Sequence, residues 1–316
     1  MKDFKNFGVK RRSFPEYNYN ALWCNLKTIR TGEGVAKELP ADRAEFYDVG
    51  INTKCNAECD FCYVSASHKG KNYEDICETW EKWMKTFPED EKLNGINVRI
   101  TEKPFQIAIG STGEATIHPD FTKFLNTVYH SRVVPNYTTN GIILSEYGKN
   151  PIANTIMEAT SEFVGGVAVS FGNPLIRQKA KAAVTNLLKY GNTNVNIHHL
   201  ISDRDSVDEF ISNVFKYGDE IAYHVLLPLM PAGRSTKGID EGVWEYLETF
   251  LDKENIKNVA FGAHFVDYLK NSKIKTWLYP PESLSKNVIL EKDCVKITPS
   301  SFNLNPIKII NFNEKI

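Results

Sequence analysis

From residue 46 to residue 265 short apolar runs alternate with amphipathic stretches, and this alternation constrains the fold more than any other feature. Strand-like runs fall at 46–52 (FYDVGIN), 105–110 (FQIAIG), 134–139 (VPNYTT), 164–170 (VGGVAVS), 194–201 (NVNIHHLI), 221–229 (IAYHVLLPL) and 258–265 (NVAFGAHF). Their short lengths and β-branched content favour strand over helix. Strands that alternate with helices imply a parallel sheet, because parallel neighbours need a crossover and helices cover the faces. Whether such a sheet stays open or curls into a barrel, ligands collect at the C-terminal ends of its strands. Chemistry is therefore expected in 52–63, 110–116, 139–141, 170–174, 198–204 and 227–234.

The intervening helices are marked by apolar faces. Ile76, Trp80, Trp83, Met84 and Phe87 form the first, and Phe121, Phe124, Leu125 and Val128 the second. Ile152, Ile156 and Met157 mark a third. Ala180, Ala183, Val184, Leu187 and Leu188 form a fourth, closed by Gly191 as a C-cap. Ser206 with Glu209 three residues on predicts a capping box ahead of Phe210, Ile211, Val214 and Phe215, with an end near Gly218. Val243, Leu247, Phe250 and Leu251 mark a sixth. Residues 1–45 lie outside the pattern and read as an N-terminal extension. Residues 266–316 read as a C-terminal cap, in which Pro280, Pro281, Pro299 and Pro306 discourage long helices while Tyr268, Trp277, Leu278, Tyr279 and Phe302 demand a surface to pack on. The core is assigned to 46–265.

Composition excludes several classes. With 42% hydrophobic and 24% charged residues among 316, the chain is not intrinsically disordered. Its 38 basic and 39 acidic residues nearly cancel, so no global field attracts a polyanion such as nucleic acid. The basic run Lys2, Lys5, Lys10, Arg11 and Arg12 reads as a solvated tail. No stretch approaches the ~20 apolar residues of a membrane span, and the first residues lack the apolar core of a secretory signal. Six cysteines are too sparse for a disulfide scaffold. These features together predict a reduced, cytoplasmic protein.

Three of those cysteines crowd into eight positions after the first strand, as Cys55-x3-Cys59-x2-Cys62. A loop can turn three thiolates toward one point. They can hold three irons of a four-iron cluster and leave the fourth iron open, or bind zinc with His68 as a fourth ligand in a non-catalytic binding protein.

With Phe61 before Cys62, this segment resembles the signature of the radical S-adenosylmethionine (SAM) enzymes. Gly110-Ser111-Thr112-Gly113-Glu114-Ala115 sits where that superfamily has Gly-Gly-Glu-Pro, with Thr112 in place of the first Gly and Ala115 in place of Pro. His118-Pro119-Asp120-Phe121 is similar to the usual continuation, Thr139-Asn140-Gly141 to the Thr-Asn-Gly turn, and Ser170 to a serine at the end of the fourth strand. The resemblance spans about residues 46–235. It implies an incomplete (β/α)6 barrel with N- and C-terminal extensions, a [4Fe-4S] cluster on Cys55, Cys59 and Cys62, and SAM as cofactor. Phe61, Gly113, Glu114, Asn140 and Ser170 would bind SAM, with Glu114 accepting from its ammonium and Leu226-Leu227-Pro228 bordering the adenine. It also implies an electron donor such as flavodoxin or ferredoxin, and a peptide, nucleotide or other small molecule as substrate.

The remaining polar residues carry simpler expectations. Asn194, Asn196 and His198 share one face of their strand and suggest a lined lumen, whereas His199 reads as a hydrogen-bonded core histidine. Arg234, in Pro231-Ala232-Gly233-Arg234, reads as a surface salt-bridge former. Cys77 and Cys294 read as structural. Cys24 carries no assignment.

Overall fold

The computed structural model describes residues 4–30, 39–93, 98–254, 256, 258–269, 272 and 285–313. Trp277, Leu278 and Tyr279 lie outside them.

The first described segment supplies three strands of a separate small sheet. Val9–Phe14 (β1), Tyr19–Cys24 (β2) and Lys27–Arg30 (β3) pair antiparallel in sequence. Phe46–Gly50 (β4) then opens the large sheet, and helix Ile76–Met84 (α1) follows the cysteine loop. Glu91–Lys92 (β5) and Val98–Ile100 (β6) return to complete the small sheet, in the order β3-β2-β1-β6-β5. Of the basic run, Lys2 lies outside the described residues and Lys5 and Arg11 are exposed, but Lys10 and Arg12 do not belong to a solvated tail. Lys10 and Arg12 are buried on β1, where the Arg12 guanidinium donates to the carbonyl oxygens of Ala44 (2.8 Å) and Arg43 (2.9 Å). Lys10 lies over the rings of Phe7 and Trp23 and donates to the carbonyl of Arg132. Strand pairing took these residues inward because alternate β1 positions face an aromatic cluster of Phe7, Phe14, Tyr19, Trp23 and Phe105.

The large sheet continues with Gln106–Ile109 (β7), helix Phe121–His130 (α2), Val134–Thr139 (β8), helix Pro151–Phe163 (α3), Gly166–Ser170 (β9), helix Arg177–Tyr190 (α4) and Asn194–Ile201 (β10). Helix Arg204–Tyr217 (α5), Tyr223–Pro228 (β11), helix Val243–Lys253 (α6) and Val259–Phe261 (β12) follow. Every one of the seven strand-like runs contains a strand. All seven are parallel, as the crossover argument requires.

The sheet is wider than six strand–helix units. The C-terminal segment supplies Ser285–Glu291 (β13), which pairs parallel to β4, then Cys294–Thr298 (β14) and Lys308–Asn311 (β15) in antiparallel pairing. The order among the described residues is β12-β11-β10-β9-β8-β7-β4-β13-β14-β15. Prolines discourage helix in this tail but leave strands available, and β13 closes the hydrogen-bonding edge that β4 would otherwise expose.

One face of each strand is apolar and packs beneath the helices. Tyr47, Val49, Ile107, Ile109, Tyr137, Val167, Val169, Val195 and Ile197 join Trp80, Trp83, Phe121, Phe124 and Val184 in one core. On α3 the buried face runs through Ala153, Ile156, Met157 and Thr160, while Ile152 is exposed; it lies one position off the stripe at the helix start. On α5 the N-cap is Asp203. Its carboxylate accepts from the Ser206 N–H at 2.8 Å, and the Ser206 hydroxyl accepts from the Asp203 N–H at 3.1 Å. The predicted box is thus shifted by three residues, and Glu209 pairs instead with Arg177 at 2.6 Å. Gly191 and Gly218 cap α4 and α5 as predicted.

Candidate active site

The opposite face of the parallel strands mixes polar residues such as Asp48, Thr138 and His198 with apolar ones such as Ala108 and Leu200, and borders a cavity of about 480 Å³, within the range of small-molecule sites. Cys55, Cys59, Phe61, Cys62, Gly113, Glu114, Asn140 and Ser170 all line it. Eight positions read from motifs spread over more than a hundred residues thus meet at the C-terminal ends of β4, β7, β8 and β9.

The cysteine loop is pinned from several sides. Thr53 N–H donates to Lys71 carbonyl (2.8 Å) and Cys55 N–H to Ser67 carbonyl (3.0 Å), closing residues 53–71 into a compact excursion. The Glu114 N–H donates to the Lys54 carbonyl at 2.9 Å, tying the loop after β7 to the loop after β4. Thr112, the departure from Gly-Gly-Glu-Pro, has a local cause: its hydroxyl donates to the Asn52 carbonyl at 2.6 Å. A Cβ at Gly50 would stand 2.2 Å from that hydroxyl, so the threonine needs the glycine. At Gly113 a Cβ would come within 2.6 Å of both the Asn52 side chain and the Lys54 carbonyl, so the close approach of the two loops requires glycine there.

Arg234 is not a surface salt-bridge former. Its Nε donates to the Cys59 carbonyl at 2.8 Å, one terminal nitrogen donates to the Ala66 carbonyl at 2.9 Å, and its backbone N–H donates to the Cys62 carbonyl at 3.0 Å. Gly233 has φ +61°, and a Cβ on it would lie 2.2 Å from the Cys62 carbonyl oxygen. The turn after β11 therefore clamps the backbone that presents the thiols.

Amide side chains face the sulfurs. Asn173 Nδ2 donates to Cys59 Sγ at 3.1 Å, and Asn140 Nδ2 lies 3.9 Å from Cys55 Sγ while donating to Asn56 Oδ1 at 2.7 Å. Burial pushes the Cys55 thiol up to about 11 and raises that of Cys59, which Asn173 partly counters. Cys55 and Cys59 are therefore protonated at neutral pH without a metal, and a metal must displace their protons. Among the described residues no three His, Cys, Asp or Glu side chains converge on one point as a single ion requires. His68 is exposed and does not line the cavity. Three thiols that line one cavity, with amide donors at two of them, can hold three irons of a multi-iron cluster.

Glu114 is buried. Its Oε1 accepts from the Thr116 hydroxyl (2.5 Å), the Thr139 hydroxyl (2.8 Å) and the Thr116 N–H (3.3 Å), and its Oε2 accepts from the Asn140 N–H at 2.8 Å. Burial raises its pKa against these donors. The carboxylate thus braces the Thr139-Asn140-Gly141 turn, where Gly141 has φ +79°, and keeps only an Oε2 lone pair for a ligand. Ser170 lines the cavity without a hydrogen-bond partner among the described residues. Leu227 and Pro228 line it too, whereas Leu226 faces the helices in a separate apolar cluster.

His118 does not reach the cavity. Its ring joins the Tyr73 carbonyl (2.9 Å) to the Asp120 N–H (3.0 Å) and so fixes the start of α2. His199 is a core histidine as predicted, 3.0 Å from His224, and burial pushes its pKa well down. His198 lines the cavity, neutral because burial lowers its pKa to about 4. Cys77 is buried on α1, Cys24 is exposed, and Cys294 sits on β14; none of the three lines the cavity.

Asp48, Tyr63, Asn173 and the tail residues Ser300, Ser301 and Phe302 also line it; Tyr63 and Asn173 fall in the strand-end segments and Phe302 in the apolar tail that the sequence marks, whereas Asp48, Ser300 and Ser301 carry no expectation there. Phe302 packs on Tyr63 with ring centres 4.5 Å apart and meets His264 edge-on at 4.4 Å. The alternation that puts Tyr47 and Val49 outward already turned Asp48 inward, so that residue was readable.

No protein-family model and no curated protein matches the chain. Among solved structures it is similar to Streptococcus suis SuiB bound to S-adenosylmethionine, at 12% identity and a TM-score of 0.56 over 82% of this chain and 60% of SuiB. It is also similar to SuiB bound to its precursor peptide SuiA, at 14% identity and a TM-score of 0.59 over 87% of this chain and 64% of SuiB. The chain therefore spans less than two thirds of the length of SuiB. The chain shares the fold of SuiB over most of its own length.

Proposed function

We propose that the chain is a radical SAM enzyme in which Cys55, Cys59 and Cys62 hold a [4Fe-4S] cluster and the parallel strands curl into an incomplete barrel around it. One observation carries the reading: three thiols on the loop after the first parallel strand open onto the same cavity as the loops after the next three strands. When bound, the cluster supplies the electron that splits the sulfonium of SAM into methionine and a 5′-deoxyadenosyl radical, which takes hydrogen from a substrate carbon.

The chain's own residues orient and shield. Arg234 and Gly233 fix the cysteine loop. The free lone pair of Glu114 Oε2 and the peptide groups around Gly113 receive the methionyl ammonium. The Asn140 amide turns from Asn56 toward the ligand carboxylate, and the Ser170 hydroxyl meets the ribose. Phe61, Leu227 and Pro228 border the adenine and keep water out, which a primary carbon radical requires. Electrons come from a small donor such as flavodoxin or ferredoxin, and a reducing compartment, the cytoplasm, suits a chain that reserves three thiols for a cluster. SuiB takes a precursor peptide; a peptide is one candidate class here, beside nucleotides and other small molecules.

Anaerobic reconstitution with iron and sulfide tests the reading. A brown protein with about four irons per chain is expected, and reduction with SAM present should yield 5′-deoxyadenosine. Stoichiometric colourless zinc with no iron uptake would support the zinc-stabilised binding protein instead.

A further inference from the structure

The cavity has two sides. Gly113, Glu114, Asn140, Ser170 and Leu227 line the side formed by β7, β8, β9 and β11, which the proposed function gives to SAM. The other side is formed by β4, β13 and the tail, and its lining includes Asp48, Ser285, Ser300 and Phe302. No SAM-binding motif falls there.

Asp48 is the acidic group of that side. On β4 the register places it beside Ala108 of β7 and Asn287 of β13, on the face opposite Tyr47 and Val49. Ala108 is too small to cover it and cannot donate from its side chain. Asn287 gives its amide to the Thr298 hydroxyl at 2.9 Å. Among the described residues nothing donates a hydrogen bond to the Asp48 carboxylate, and no cation pairs with it. Lys286, which also borders the cavity, is not its partner. Burial alone acts on the carboxyl and raises it to about 6, so at neutral pH it is mostly ionised with its solvation shell reduced. Across the cavity His198 contributes a neutral imidazole and therefore no counter-charge.

Asp48 is half-buried: its carboxylate opens on the cavity, where it is the one acidic side chain of the β4–β13 side among the described residues. A ligand that fills the cavity displaces water from that carboxylate and must supply the partner that the fold does not, or leave the charge desolvated. A neutral donor would satisfy one lone pair, whereas a cationic nitrogen satisfies both the charge and the hydrogen bonding.

We propose that Asp48 is the recognition group for an ammonium on the substrate, so that the enzyme acts on an amine-bearing molecule. This rests on the proposed function only for the division of the cavity between SAM and substrate. Asp48 holds the substrate's nitrogen on the β4–β13 side, and Phe302, braced by Tyr63 and His264, walls the apolar part beside it.

A matched pair of probes tests this. The reconstituted protein is saturated with S-adenosylhomocysteine, which fills the cofactor side without being cleaved, and titrated calorimetrically with n-butylammonium and with 1-butanol. The cation is expected to bind about tenfold or more tightly than the alcohol. In Asp48→Asn that preference should vanish while S-adenosylhomocysteine binds unchanged. Equal affinities in the wild type, or a preference that survives in Asp48→Asn, would overturn the proposal. Asp48→Ser, which removes the charge with a different shape, must lose the preference too. Failure of the enzyme reading shows separately, as absence of a cluster and of S-adenosylhomocysteine binding. The same two titrations on the cluster-free protein then still decide the role of Asp48, which touches neither the cysteines nor Arg234.

Discussion

The Arg234 guanidinium donates to the carbonyl oxygen of Cys59 at 2.8 Å, across 175 positions of sequence. A second donor from the same side chain holds Ala66, so the loop carrying the thiols is gripped on both flanks of Cys62. Arg234→Ala leaves those buried carbonyls unpaired, at about 1–3 kcal/mol each. The variant should take up cluster poorly and lose iron faster to a chelator, while β-sheet circular dichroism stays unchanged. Arg234→Lys should not rescue it, because an ammonium lacks the fork that spans two acceptors. Equal iron retention in all three proteins would show that the clamp is incidental.

Glu114 has two tasks, and one substitution exposes both. In Glu114→Ala the Asn140 N–H and the Thr116 and Thr139 hydroxyls lose their acceptor, so the unfolding free energy should fall by roughly 3 kcal/mol or more. The cluster should remain, since Glu114 is no ligand. Affinity for SAM should drop by about 1.5–3 kcal/mol, or ten- to more than a hundred-fold. Urea unfolding and equilibrium binding read the two effects separately. Unchanged binding with lowered stability would confine Glu114 to bracing the turn.

Asp48 should leave a pH signature in stability. Its folded pKa of about 6 lies above the ordinary 3.8, so the folded state binds the proton more tightly than the unfolded state does. Stability from this group is fullest below pH 4 and is lost as pH rises through 6. Asp48→Asn should therefore be more stable than wild type at pH 7, by about 3 kcal/mol at most, and no more stable at pH 4. Chemical unfolding at the two pH values measures it. A variant less stable at pH 7 would mean that the carboxylate has a partner inside the fold.

The C-terminal strands belong to the core and cannot be removed as a detachable cap. Val288, Leu290, Val295 and Ile297 are fully buried in the main cluster. At ~1.5–3 kcal/mol each, their loss would rival the ~5–15 kcal/mol stability of a whole domain. Deletion from residue 285 onward should give an aggregating product without a cooperative thermal transition. A soluble, cooperatively melting product would contradict that.

Much of this architecture could be read from residue patterns. Alternation located seven of the eight parallel strands of the large sheet, because each is apolar on its helix-facing side and short; the eighth, β13, lies in the segment read as a cap. It also turned His198 to the cavity and His199 to the core. The motif residues converged because each sits at the end of a parallel strand, where topology brings distant positions together. Long-range pairing was not legible. Nothing in Lys10 or Arg12 announces that β1 will carry them under an aromatic cluster, or in Arg234 that its acceptors are carbonyls of the cysteine loop. The β13–β14 hairpin carried a weak signal, a two-residue turn at Lys292-Asp293 with Asp293 at φ +54°, which the neighbouring prolines obscured.

The central claim is that Cys55, Cys59 and Cys62 leave one iron of a cluster open to SAM. Electron paramagnetic resonance of the anaerobically reduced, reconstituted protein, recorded before and after adding SAM, tests it directly. The account predicts a reduced four-iron signal whose g-values shift on addition, and its loss when any one of the three cysteines is replaced by Ala. A signal indifferent to SAM, or one that persists in a single-cysteine variant, would contradict it.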